Sequence, residues 1–140
     1  MALVALPYAS LIQASEAPVA EPGEYVRVCG ICHLERGEGV PGAFPPLDAR
    51  LGAWAGTEQG RRYLVNVVVN GLHGQIEVDG VRYFGAMPGM AHQLSYREIA
   101  GLLNYVVGEF GGGSAAFTEK MVDEIRAVNG AVQSLGLRPE

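Results

Sequence analysis

The chain has 140 residues, of which 49% are apolar and 18% charged, and it carries a formal net charge of −5. That length predicts one domain, and the acidic balance argues against nucleic acid as a partner, because nucleic acid requires a basic face. With 20 glycines and 8 prolines, much of the chain is expected to be turn and loop.

Met1 to Ile12 is almost wholly apolar. It is too short to span a bilayer, and it lacks the basic leading stretch of a complete signal peptide. Two readings stay open: the remnant of a signal or anchor, which would bring membrane contact, or an ordered arm packed on the domain. Ala14 to Pro22 reads as a polar, proline-bearing linker. A first helix is predicted from Pro22 to Cys32, with Pro22 and Glu24 as start signals. Tyr25, Val26 and Cys29 recur on it at helical spacing.

That helix delivers Cys29-Gly30-Ile31-Cys32-His33, which contains both cysteines of the chain. C-x-x-C-H is the attachment signature of c-type haem. Each thiol adds across one porphyrin vinyl group, and the two-residue gap lets one helical turn present both sulfurs to one edge of the ring. His33 then offers its imidazole to the iron as an axial ligand. Structural zinc would need a second Cys/His pair, yet His73 and His92 stand alone. A thioredoxin-like pair would need a preceding buried strand, and a disulfide over two residues would be strained and reducible. A covalent haem is therefore the expected cofactor. It would also give a small chain a large apolar disc to pack around.

Glu35 to Pro46 is a Gly- and Pro-rich loop of the kind that wraps something else. Glu58 to Asn70 is predicted helical, with Tyr63, Leu64, Val67 and Val68 on one face and Gly71 closing it. Gln75 to Tyr83 reads as a hairpin turning at Asp79-Gly80, a pair suited to a type I′ turn. Gly85-Ala86-Met87-Pro88-Gly89-Met90 follows, with two thioethers that qualify as a second axial ligand. Ser95-Tyr96-Arg97-Glu98 is a capping box, and Ile99, Leu102, Leu103, Val106 and Phe110 form the apolar stripe behind it. The first helix and this one are expected to cross, with Tyr25 and Val26 against Leu102, Leu103 and Val106, and with Gly23 and Gly101 allowing close approach. A last amphipathic helix starts at Thr118, with Met121, Val122, Ile125 and Val128 inward. Trp54 and Tyr63 suit either the core or a haem propionate, and Arg61-Arg62 suits propionate neutralisation.

In order, Cys29-x-x-Cys32-His33, Pro45-Pro46-Leu47, and Met87-Pro88 before a capped helix resemble the class I cytochromes c, over about Pro22 to Phe110. Gly39–Leu47, Gly71–Val78 and the Phe-Thr-Glu start at Phe117 resemble more closely the soluble monohaem cytochromes of thermophilic bacteria that feed haem-copper terminal oxidases. The resemblance implies a mainly α fold, three to five helices around one covalent haem, with a small β-hairpin and a C-terminal helical extension that clasps the domain. It implies residues 1–20 as arm and linker, 21–112 as the haem domain and 113–140 as the extension. It implies thioethers at Cys29 and Cys32, iron ligation by His33 and Met87, and a Pro45 carbonyl accepting the other imidazole N–H. Met90 is the alternative ligand. Met87, eight residues before Ser95, has more chain in which to turn from iron to helix than Met90, five before it.

The expected function is electron transfer, since imidazole plus thioether closes both axial positions. The chain would be a carrier or a redox subunit rather than an enzyme in itself, passing electrons between a periplasmic donor and a terminal oxidase. Expected partners are a haem-copper oxidase, a cytochrome bc-type complex or a dehydrogenase. An electron-accepting subunit of a periplasmic dehydrogenase is the first alternative, and a haem enzyme or gas sensor with an open sixth position the second. The expected location is extracytoplasmic, and the expected state a monomer unless the chain is a complex subunit. Its basic residues are nine arginines and Lys120, so a lysine docking ring is excluded. The contact surface would be apolar, from Val40, Ala43, Phe44, Ala86, Met87, Gly89 and Met90.

Overall fold

A computed structural model describes residues 17–114, 116–129 and 138–139. Met1 to Ile12 lies outside these, as does the side chain of Val128. Six helices and one antiparallel hairpin are present among the described residues: α1 (Pro22–Val28), α2 (Gly30–His33), α3 (Ala49–Ala55), α4 (Glu58–Asn70), β1 (Gly71–Val78), β2 (Val81–Pro88), α5 (Tyr96–Glu109) and α6 (Glu119–Asn129). The architecture is mainly helical, as the class I cytochrome c fold requires.

The predicted first helix is interrupted only at Cys29, which keeps right-handed helical dihedrals while its N–H still bonds the Tyr25 carbonyl. Leu34, at φ 63°, ends the run. Sequence patterning does not mark α3. Its signal is nonetheless present: Asp48 accepts from the Arg50 N–H as N-cap, and Leu51 and Ala55 form a short buried stripe. Thr57 caps α4 by accepting from the Gly60 N–H. A Cβ on Gly60 would lie 2.0 Å from the Trp54 carbonyl oxygen, so the α3–α4 corner admits only glycine.

Helix α5 is the centre of the packing. It contacts α1, α3, α4 and α6. Its capping box is complete, with Ser95 and Glu98 bonded reciprocally. Ile99, Leu102, Leu103, Val106 and Val107 are buried along it. The α1 contact is aromatic: the Tyr25 ring stacks on Tyr105 at 5.3 Å and meets Phe110 edge-on at 5.1 Å. Two expectations are corrected here. Val26 points outward, and Gly23 has no close neighbour. The close approach is made by Gly101 against the Val19–Ala20 segment, where the Ala20 N–H bonds the Gly101 carbonyl at 3.0 Å.

The hairpin turns at Asp79 (φ 50°) and Gly80 (φ 77°), the two positive φ values of a type I′ turn. Its strands are longer than predicted, pairing from Gly71↔Pro88 to Val78↔Val81. Met87 therefore stands within β2, opposite Leu72, rather than in a loop. Arg50 links α3 to the turn through an ion pair with Asp79 at 2.8 Å.

Helix α6 packs on α5 and α4, with Thr118 capping it through the Met121 N–H and Val122 fully buried. The approach to α6 is held by Asn104. Its amide nitrogen donates to the carbonyls of Pro18 (2.7 Å) and Phe117 (2.8 Å), and its oxygen accepts from the Phe117 N–H (2.7 Å). One buried side chain thus joins the segment before α1, the centre of α5 and the segment before α6. Replacing it strands buried backbone groups, at about 1–3 kcal/mol for each group left unpaired. Asn104→Ala is expected to lower unfolding stability by at least that much in guanidinium titrations, without altering the visible spectrum.

Candidate haem-binding site

The site grows from the short helix α2. The Cys32 and His33 N–H groups bond the Cys29 carbonyl at 3.2 and 2.9 Å, so Cys29 and Cys32 lie one helical turn apart with the histidine following. Both thiols are free and half-buried. Burial, with Cys32 and Glu24 adding to it, pushes the Cys29 thiol up to about 11. The pair is thus neutral thiol, the form that adds across a vinyl group, rather than the thiolate of a redox-exchange site.

His33 is 8% exposed. Its Nδ1 lies 2.8 Å from the Pro45 carbonyl oxygen. A carbonyl can only accept, so Nδ1 carries the proton and Nε2 holds the lone pair. Burial lowers the imidazole pKa, opposed by the bond to Pro45. The loop from Leu34 to Leu47 places that carbonyl. It folds on itself through Gly39 N–H to His33 O (3.0 Å), paired bonds between Val40 and Phe44 (2.8 Å each) and Leu47 N–H to Gly37 O (2.7 Å). The Tyr25 hydroxyl donates to the Leu34 carbonyl at 2.8 Å, tying the loop to α1.

Met87 is carried by a different wall. Gly71, at φ 85°, ends α4 and begins β1, and a Cβ there would lie 2.4 Å from the Met87 carbonyl oxygen. The strand bearing Met87 therefore passes directly over the end of α4. Beyond it, the Met90 N–H bonds the Val68 carbonyl at 2.8 Å, and the Met90 carbonyl accepts from the Gln93 and Leu94 N–H groups. Both methionines are half-buried, but Met87 sits in a regular strand and Met90 in a tight turn.

No Cα of α2 lies within 8 Å of α3, α4 or the hairpin. The wall bearing two thiols and an imidazole and the wall bearing a thioether are thus not packed on each other; α1 touches α5, and α5 touches α4. Two thiols one turn apart, an imidazole with a free Nε2 and a thioether on the facing wall are a donor set that fits a covalent haem. His73 lies exposed on β1 opposite Ala86, and His92 in an exposed turn, so neither joins the cysteines. Arg61 donates to the Ala55 carbonyl and Arg62 to Glu58, which commits both to partners within the chain. Trp54 and Tyr63 meet edge-to-face at 5.3 Å.

No family model matches the chain. It is 42% identical over 104 residues to cytochrome c-552 of Thermus thermophilus, a match that covers 71% of this chain and 79% of that one. A second cytochrome c-552 of Thermus thermophilus matches at the same 42% identity over 70% of its length. The cytochrome c subunit of the quinone alcohol dehydrogenase of Gluconacetobacter polyoxogenes is 30% identical over 128 residues, 90% of this chain but 26% of that subunit. The chain belongs to the class I monohaem cytochromes c, and its activity is electron transfer by a covalently bound haem c.

Proposed function

We propose that the chain is an extracytoplasmic electron carrier with His33 and Met87 as axial ligands, thioethers at Cys29 and Cys32, and Pro45 orienting the histidine. The observation that carries this reading is the 2.8 Å bond from His33 Nδ1 to the Pro45 carbonyl, which leaves Nε2 as the free nitrogen. The bond fixes tautomer and ring orientation and raises ligand basicity. The haem supplies a one-electron couple between ferric and ferrous iron. The chain supplies burial and orientation, and Met87 closes the sixth position against exogenous ligands. Residues 21–112 form the haem domain, with 113–140 as an extension clasped on it. Attachment after export places the protein in the periplasm, between a donor and a haem-copper oxidase. Among the described residues no helix is long and apolar enough to cross a membrane. A second reading, the electron-accepting subunit of a periplasmic dehydrogenase, is favoured by the dehydrogenase subunit's likeness over 90% of this chain.

The docking surface follows from exposure near the cysteines. Val40, Phe44 and Ile31 are exposed, Ile31 at 73%. Ala43 and Ala86 are also exposed, whereas Met87, Gly89 and Met90 are half-buried and contribute less than the sequence suggests. The adjacent charges, Glu35, Arg36 and Glu38, are few and of mixed sign.

Three outcomes are expected. The Cys29→Ala/Cys32→Ala variant should lose all haem that survives denaturation, read by haem staining of denaturing gels and by the pyridine haemochrome. Met87→Ala should remove the far-red methionine–iron charge-transfer band of the ferric protein while Met90→Ala retains it; the reverse pattern would move the ligand to Met90. The second-order electron-transfer rate should change by less than about threefold between low and moderate salt, because rim charges act mainly on association rate. A steep fall would instead indicate electrostatic steering by Glu35 and Glu38.

A further inference from the structure

Near the C-terminal end, Arg138 reaches across the cleft between α3, α4 and the hairpin. Its Nη2 donates to the Glu77 carbonyl at 2.8 Å, and its guanidinium carbon lies 5.9 Å from the centroid of the Trp54 ring. Its Nε is buried and has no hydrogen-bond partner among the described residues. A guanidinium N–H stranded inside a protein costs free energy that a hydrogen bond would recover, and more so when the group is charged. The cleft, of about 630 Å³, offers no side-chain anion to pair with it. Asp79 is held by Arg50, as is Asp48, and Glu77 meets Arg138 through its backbone. Tyr63 lies close enough that the Arg138 charge opposes the upward push of burial on its phenol.

The cofactor brings two carboxylates that the ligand set leaves unaccounted for. A porphyrin joined to Cys29 and Cys32 along its vinyl edge directs its propionates away from α2. The walls beyond 8 Å of α2 are α3, α4 and the hairpin, the three elements that line the cleft. Arg61 and Arg62, the basic pair that the sequence offers for this role, are committed elsewhere.

We propose that Arg138 is the haem propionate anchor, with its Nε donating to the carboxylate beside Trp54 and Tyr63. This rests on the haem reading above. An ionised propionate favours ferric over ferrous iron, so a guanidinium paired with it favours reduction and raises the potential. The same pairing keeps the propionate ionised across the working pH range. The charged and titratable groups facing it are Arg50, Asp48 and Tyr63 from the α3–α4 side, and Glu77 and Asp79 from the hairpin.

The test is a redox titration of the intact holoprotein between pH 5 and 8, comparing Arg138→Gln, Arg138→Lys and the exposed control Arg36→Gln. Arg138→Gln should shift the ferric-to-ferrous ratio at fixed potential about tenfold toward ferric at pH 8, about 59 mV for a one-electron couple. Its midpoint should then rise as pH falls, since a propionate without its cation takes up a proton. The native protein and Arg36→Gln should show a flat profile, and Arg138→Lys should restore most of the potential. A midpoint in Arg138→Gln that is native and flat with pH would overturn the proposal, even if that variant melts earlier, because a purely structural strap would cost stability alone. Haem content by pyridine haemochrome separates the two readings. Full haem with an unmoved midpoint rejects Arg138 only, whereas absent haem in the native protein rejects the site itself. In the native holoprotein the Arg138 Nε–H should be protected from solvent exchange by NMR, and rapid exchange would also count against the anchor.

Discussion

The hydrogen bond between His33 Nδ1 and the Pro45 carbonyl is the constraint on which the rest of the site depends. An imidazole can present Nε2 to a metal only if something else holds the proton on Nδ1, and a backbone carbonyl does this without itself titrating. The cost is a loop that must bring residue 45 back to residue 33. That accounts for the left-handed residues Leu34, Gly37, Gly39 and Gly42, and for the ring of backbone bonds from His33 to Leu47. The buried Tyr25 secures this loop from below through the Leu34 carbonyl. Tyr25 thereby serves two levels at once, as a loop anchor and as the aromatic contact between α1 and α5.

The two walls of the haem site meet the rest of the protein through α5. The cysteine wall reaches it by α1, and the methionine wall by α4. A site assembled from elements that do not touch each other needs a rigid third body, and α5 supplies one with eight buried residues and a complete N-terminal cap. Asn104 extends that role to the segments before α1 and α6. A cofactor held between such walls replaces the packing they would otherwise make against each other, which suits a chain too small to build a deep core alone.

The hairpin has a comparable positional role. Its eight-residue strands carry Met87 from the tip back onto the end of α4, where Gly71 lets the backbones close to a distance that no side chain permits. At its other end the hairpin is tied to α3 by the Arg50–Asp79 pair and to the C-terminal segment by Arg138. The same small sheet therefore organises the approach of the thioether at one end and the cationic cleft at the other.

Local chemistry determined much of this in the sequence alone. The C-x-x-C-H run, the Ser95 capping box, the Asp79-Gly80 turn and the apolar face from Glu58 to Asn70 each encode their structure within a few residues, and each is found where its pattern placed it. Helix α3 escapes such patterning because seven residues carry little periodicity, although Asp48 marks its start. The direction of Val26, the choice of Gly101 over Gly23 for close approach and the clamp by Asn104 were not legible, since each depends on a neighbour that the chain brings from far away in sequence. Arg138 is the extreme case. Nothing in a lone arginine near a terminus identifies the carbonyl of Glu77 or the ring of Trp54 as its neighbours, and only the tertiary fold buries its Nε and leaves it without a partner among the described residues. Capping, turn chemistry and motif spacing are short-range and can be read along the chain. The burial of a charge is decided by everything that surrounds it in space.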